Sequence, residues 1–191
     1  LYPRHGGMSG RMIAVVGPSG VGKDTVTQAL VDAAPQLSLV RRVITRAADA
    51  GGEDYDAVSV PMFMGMQAAG EFALSWQAHG LRYGIPASVD GDLALGRDLL
   101  VNLSRSVLEA AQARFGTMPV LLLTASPAVL RARLTARGRE DGREIDARLA
   151  RAGFALPGGI NAIHIDNSGP IADTVQRALR ALYPQKDVTL T

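Results

Sequence analysis

The chain has 191 residues, 47% of them apolar, no cysteine, and a formal net charge of +2. That length suits one core with room for a small flap, and the missing thiols exclude disulfides, thiolate metal sites and cysteine nucleophiles. So small a charge argues against a nucleic-acid partner, and no apolar run reaches the roughly 18 residues that cross a bilayer, so no membrane partner is expected; the absence of cysteine fits a cytoplasmic location.

Leu1 to Arg11 are polar and glycine-rich, without the apolar segment of a leader. The expectation is a tail over residues 1–11, or a mis-assigned start with Met8 or Met12 as the true one. Met12 to Val16 is a short continuous apolar run, as a strand buried on both faces requires. A glycine-rich turn follows, then a helix from Asp24 to Ala33, with Val26, Leu30 and Ala33 at helical spacing and Pro35 ending it. Leu37 to Ile44 reads as a second strand. Thr45 to Val60 is polar and contains glycine. Met62 to Gly70 reads as a short helix, Phe72 to Trp76 as a strand, Gln77 to Gly80 as a turn and Leu81 to Ile85 as extended chain. This middle part is less apolar than its flanks, so residues 45–90 are expected to form an inserted flap. The βα rhythm then resumes with a strand at Asp98–Leu103, a helix at Ser106–Phe115 and a strand at Val120–Thr124. A helix opened by Pro127 runs to Arg137, followed by a polar turn (138–142), a helix from Arg143 to Ala152, a strand at Ala162–Asp166 and a last helix at Ile171–Leu182. Alternating strands and helices predict a three-layer α/β domain over residues 12–183 with a central parallel sheet, and a tail over 184–191.

The turn Gly17-Pro18-Ser19-Gly20-Val21-Gly22-Lys23-Asp24 has the spacing G-x-x-x-x-G-K. In such a turn, backbone N–H groups point inward and cradle phosphates, and the helix that follows aims its positive end at the same anion. Lys23 adds a mobile point charge for the terminal phosphates. The last position departs from the pattern, which expects Ser or Thr as a Mg²⁺ ligand. Asp24 brings a hard carboxylate oxygen instead, and it is the metal candidate; its alternative role is to cap the helix. Thr25 is adjacent, about 100° away around the helix. The reading is a P-loop NTPase fold that binds ATP and Mg²⁺.

Lys23 and Lys186 are the only lysines among the 20 basic Lys and Arg residues, so the chain relies on arginine. Arg131, Arg133, Arg137, Arg139, Arg143, Arg148 and Arg151 cluster with Glu140, Asp141, Glu144 and Asp146. Arg131, Arg133 and Arg151 read best as solvated ion pairs. Arg137 and Arg148 bracket a short turn, which predicts a lid over 137–148 that folds onto bound phosphates, neutralises the moving charge and excludes water.

The loop, the pair Thr45-Arg46, Asp54-Tyr55, Gly70-Glu71-Phe72, Tyr83-Gly84 and the Arg137/Arg148 lid resemble the guanylate kinase family, over nearly the whole of Met12 to Leu182. The departures are informative. That family carries a second phosphate-binding arginine where this chain has Asp49, two aspartates where it has Asn102 and Ser104, a base-reading glutamate that is missing after Glu71-Phe72, and Thr or Ser where Ile85-Pro86 follows Tyr83-Gly84. A pocket built to hydrogen-bond guanine loses selectivity steeply without such partners. The Gly-Lys-Asp ending of the loop, Ala48 to Asp54, and above all the run from Ser75 to Pro86 resemble a branch of the family, the ribose 1,5-bisphosphate phosphokinases of phosphonate catabolism. The resemblance implies ATP plus ribose 1,5-bisphosphate giving ADP plus 5-phosphoribosyl 1-diphosphate. It implies Lys23, Arg137 and Arg148 as catalytic residues, and Arg46, Tyr55, Arg82 and Tyr83 as ligands of a small phosphorylated acceptor. Tyr55 and Tyr83 are open to a second reading as buried residues with satisfied hydroxyls. Asn167 is a candidate for adenine, or for a simple turn with Ser168 and Gly169, and His79 reads as a turn residue or a substrate hydrogen-bonder before a general base. A nucleoside monophosphate or another small phosphate acceptor, and a non-catalytic interaction module, stay open as alternatives, as does homodimerisation.

Overall fold

The computed structural model describes residues 10–47, 54–137 and 156–184. Five strands form a wholly parallel central sheet: β1 (Met12–Val16), β2 (Leu37–Leu39), β7 (Asp98–Asn102), β8 (Val120–Thr124) and β9 (Ile163–Asp166), in the order β2-β7-β1-β8-β9. β1 is central, so both of its faces are covered. Met12, Ala14 and Val16 join one apolar cluster with Val101, Leu108 and Leu122, while Ile13 and Val15 join the other with Leu30, Leu121, Leu123, Ile165 and Ala178. Burial on both faces is why the strand reads as an unbroken apolar run. Helices α1 (Lys23–Ala33) and α6 (Ile171–Leu182) cover the second cluster, and α4 (Leu108–Phe115) the first. α5 spans Pro127–Arg137 and sends Leu130 into the second cluster.

The expected second strand is two strands in two sheets. β2 ends at Leu39, and Val40 still donates to Leu100 O at 2.8 Å. Beyond exposed Arg41, which pairs with Asp56 at 2.8 Å, the chain enters β3 (Arg42–Ile44) of a separate sheet. That sheet runs β4-β3-β6-β5, with β4 (Tyr55–Ala57), β5 (Phe72–Ala78) and β6 (Leu81–Pro86). β4 lies inside the stretch that composition marks as a polar loop; strand β3 beside it supplies the pairing that its own sequence does not advertise. The β5–β6 turn is tighter than expected. His79 (φ 51°) and Gly80 (φ 75°) alone make it, with Ala78 opposite Leu81, the left-handed geometry of a two-residue hairpin turn. α2 (Val60–Ala68) opens with Ser59 accepting from Met62 N at 3.3 Å. A short helix, α3 (Val89–Ala94), is an addition to the expected elements. Strands β3 to β6 thus form a second sheet, accompanied by helix α2. The turn and helix expected over 138–152 lie outside the described residues, as do 1–9, 185–191 and Asp49.

At the far end of the central sheet, Asp98 joins the two ends of the domain. Its carboxylate accepts from Arg11 Nη2 at 2.6 Å, Arg11 N at 2.9 Å and Tyr183 Oη at 2.7 Å. Burial opposes ionisation of Asp98, but the bonds from Arg11 and Tyr183 outweigh it and hold the carboxyl below its ordinary range. Burial, and then the neighbouring Asp98 charge, push the Tyr183 phenol up.

Candidate active site

The loop from Gly17 to Gly22 joins β1 to α1 at the carboxyl end of the sheet, where ligands of parallel sheets bind. Gly22 is the cap residue of α1 at φ 93°, and a Cβ there would lie 3.0 Å from Asn167 Nδ2. Only glycine fits that backbone and that gap. Among the described residues no side chain caps α1, so its first-turn amides are left for an anion. Lys23 Nζ donates to the carbonyls of Gly17 at 3.0 Å and Pro18 at 3.3 Å, which holds the ammonium over the loop. Asp24 lies in the first turn, and its Oδ1 accepts from Asn102 Nδ2 at 3.1 Å, across from the end of β7.

A second group of contacts closes the loop's other side. Asn167 Nδ2 and Arg133 Nη1 both donate to Val21 O, at 2.8 and 3.0 Å. Arg133 Nη2 donates to Asn167 O at 2.9 Å, and Thr174 Oγ1 donates to Asn167 Oδ1 at 2.9 Å. Asn167 therefore uses both ends of its amide inside the protein. These residues border a cleft of about 330 Å³ lined by Gly20, Gly22, Thr25, Arg133, Asn167 and Ile171.

The flap sheet gathers the acceptor candidates. Arg46 stacks over the Tyr55 ring, 4.3 Å to its centroid, and the buried Tyr55 hydroxyl donates to Ala47 O. Tyr83 lies opposite Ile44 and stacks on Trp76, with centroids 5.2 Å apart. Arg82 N donates to Thr45 Oγ1 at 2.9 Å; strand alternation turns its side chain to the face opposite Tyr83, so this candidate stands apart from the other three. The glycine of Tyr83-Gly84 has a steric reason, since a Cβ at Gly84 would come within 2.5 Å of the Phe72 ring.

The loop suits a nucleotide's phosphates: it offers a helix start free of side-chain caps, a cradle that a Cβ at Gly22 would fill, and a lysine. For magnesium, no cluster of three or more His, Cys, Asp or Glu exists among the described residues. Asp24 is the carboxylate at the loop. One carboxylate completed by phosphate and water oxygens is a common way to hold Mg²⁺, so the residues present fit it.

A sequence profile of the guanylate kinase family matches residues 9–156. The chain belongs to the guanylate kinase family. Within it, the chain is 52% identical over 93% of its length to a Ruegeria protein named ribose 1,5-bisphosphate phosphokinase PhnN, of which 94% is covered. It is 52% identical over 92% of its length to the protein of that name from Pseudomonas fluorescens, of which 96% is covered. The fold is similar to the crystal structure of guanylate kinase from Anaplasma phagocytophilum, with TM-score 0.60 and 20% identity over 94% of this chain and 89% of that one.

In this chain the expected loop residues, Gly17 to Asp24, lie together between β1 and α1. Tyr55 and Tyr83 lie on strands of the flap sheet, and Arg46, just past the end of β3, stacks over Tyr55. Arg137 ends α5, with only its backbone described, and Arg148 lies outside the described residues. Three residues were not singled out from the sequence as parts of the site. Arg133, read as a solvated ion pair, holds the loop. Asn102, seen only as a departure from the family pattern, holds Asp24. Arg42 holds Asn102, donating to its main-chain oxygen at 2.8 Å. No local signal marks Arg133: Leu130 and Leu134 form the buried side of α5, and Arg131 lies as near to that side as Arg133 does.

Proposed function

We propose that this guanylate kinase family member transfers the terminal phosphoryl group of ATP to a phosphate oxygen of ribose 1,5-bisphosphate, giving ADP and 5-phosphoribosyl 1-diphosphate. The observation that carries the reading is 52% identity over nearly the full chain to proteins of that name, in a chain whose loop keeps both Lys23 and Asp24.

The chemistry asks for positioning and charge neutralisation more than for proton transfer. A phosphate monoester is largely dianionic at neutral pH, its second pKa being about 6, so its oxygen attacks without a strong base while the bond to the departing ADP oxygen breaks. That accords with a site where His79 serves a hairpin turn. In this reading the amides of Gly17, Ser19, Gly20, Val21 and Gly22, with Lys23 and Thr25, bind the donor phosphates, Pro18, which has no N–H to donate, shapes the loop, and Asn167 borders the nucleotide cleft. Magnesium, held by Asp24 and phosphate oxygens, would neutralise charge on the bridging phosphates. Arg46, Tyr55, Tyr83 and Arg82 are assigned to the acceptor, and Arg137 and Arg148 to the lid.

The test is product identification. The protein is incubated with ATP, Mg²⁺ and, separately, ribose 1,5-bisphosphate or GMP, and products are read by phosphorus NMR and mass spectrometry. A diphosphate at the sugar's anomeric carbon is expected with the first acceptor alone. Turnover of GMP but not of the sugar bisphosphate refutes the assignment, and failure to bind ATP at all points to a non-catalytic module.

A further inference from the structure

We propose that Asn102 is a positioning residue for phosphoryl transfer: it fixes the Asp24 carboxylate by one oxygen, leaves the other for the metal, and is itself fixed by Arg42 of the flap sheet. This rests on the kinase reading above but not on which acceptor is used.

Asn102 closes β7 and pairs in register with Val15 of β1, beside the start of the loop, and it is 3% exposed. Two contacts run through it in opposite directions. Its Nδ2 donates to Asp24 Oδ1 at 3.1 Å, and its main-chain oxygen accepts from Arg42 Nη1 at 2.8 Å. Arg42 is itself buried, with its guanidinium 5.1 Å from the Tyr83 ring centroid and 5.7 Å from that of Trp76. Trp76 Nε1 donates to Ser104 Oγ at 3.3 Å, a second tie between the same two sheets. The flap sheet is thus bolted to the end of β7 at Asn102 and Ser104. Asp24 stands one contact further on.

The residue type at 102 follows from charge. Carboxylate and carboxamide are nearly isosteric, but a carboxylate here would set a like charge about 3 Å from Asp24, beside phosphates. An amide donates instead and lowers the net negative charge of the pocket. The need for a donor follows from the metal's thin protein shell. With no cluster of three or more ligating side chains among the described residues, chelation cannot orient Asp24, and a neighbour must. Groups that hydrogen-bond a metal's carboxylate ligand commonly contribute about 10–100-fold to metal affinity.

The experiment needs nucleotide and metal alone. ADP affinity is measured by calorimetry with Mg²⁺ and again with EDTA, for the wild type, Asn102→Ala, Asp24→Asn and the double variant, with thermal melting as the check on folding. Asn102→Ala is expected to keep metal-free affinity within about twofold and to lose about tenfold of the Mg²⁺-dependent gain. In the Asp24→Asn background it should cause no further loss, because the two residues act as one unit. An unchanged gain in Asn102→Ala overturns the proposal. So do an equal loss with and without metal, a loss that adds to that of Asp24→Asn, or a wild type with no metal-dependent gain. If Asn102→Ala lacks a cooperative melting transition, Asn102→Ser is read by the same criteria. Since no acceptor is present, a wrong acceptor leaves this result untouched.

Discussion

Replacing Asn167 by alanine tests whether the loop is held from behind or merely lies next to a nucleotide pocket. Asn167 is 3% exposed and makes two side-chain bonds, to Val21 O at 2.8 Å and from Thr174 Oγ1 at 2.9 Å. Each buried bond contributes about 1 kcal/mol net, and a stranded polar partner adds about 1 kcal/mol or more. Val21 O keeps its bond from Arg133 at 3.0 Å. The Thr174 hydroxyl keeps only a long contact to Asp166 O at 3.4 Å, so it bears most of the added cost. The sum is about 2–3 kcal/mol. In a domain of this size each kcal/mol shifts the melting temperature by about 2–4 °C, so a fall of roughly 5–10 °C is expected in the ligand-free protein. Asn167→Asp retains the acceptor for Thr174 but turns the donor facing Val21 O into a second acceptor, and it should be no more stable than alanine. Thr174→Val removes one bond and should cost less than either. The assay is thermal unfolding followed by circular dichroism, with nucleotide affinity measured on the same samples. If Asn167→Ala melts within about 2 °C of wild type while nucleotide affinity drops tenfold or more, the residue acts by touching nucleotide and the reasoning about the loop fails.

Lys23→Ala should reduce turnover by about a hundredfold or more with little change in melting temperature, because the ammonium's bonds to the Gly17 and Pro18 carbonyls are exchangeable; near wild-type turnover in a steady-state assay would contradict its assignment. Asp98→Asn should destabilise the protein at neutral pH. Because the folded carboxyl titrates below the unfolded value of about 3.9, the contribution of Asp98 is full above that value and fades as pH falls through the folded one. The gap to wild type therefore closes in acid, and a constant gap in melting temperature between about pH 7 and pH 3 would sink this account. Tyr183→Phe has the opposite sign. A phenol raised by folding contributes below about pH 10, and that contribution is lost as pH rises further.

How much of the site could be seen in the sequence depends on how far its contacts reach along the chain. The phosphate loop was legible because strand, turn, lysine and helix are neighbours in sequence, and their geometry follows from glycine's freedom at Gly22 and a helix start that needs no cap. The contacts that hold the loop are remote. Arg133 meets Val21 across 112 positions, Asn102 meets Asp24 across 78, and Arg42 meets Asn102 across 60. Nothing local distinguishes Arg133 from its neighbour Arg131; one is turned to the cleft by α5's packing and the other to solvent. The break at Arg41, read as a continuous strand, has the same origin, since an extended chain that changes sheets keeps the same local pattern.

By itself, the order of residues determined the parallel central sheet and the glycine-rich turn that carries Lys23 and Asp24. These depend on period, glycine placement and side-chain class, all expressed within a few turns of chain. Tertiary structure alone decided that Asp24 faces Asn102, that Arg42 joins the two sheets, and that Arg133 meets Val21. Such orientations are set by which distant surfaces close on each other, and burial makes every donor and acceptor there find a partner that no stretch of sequence names.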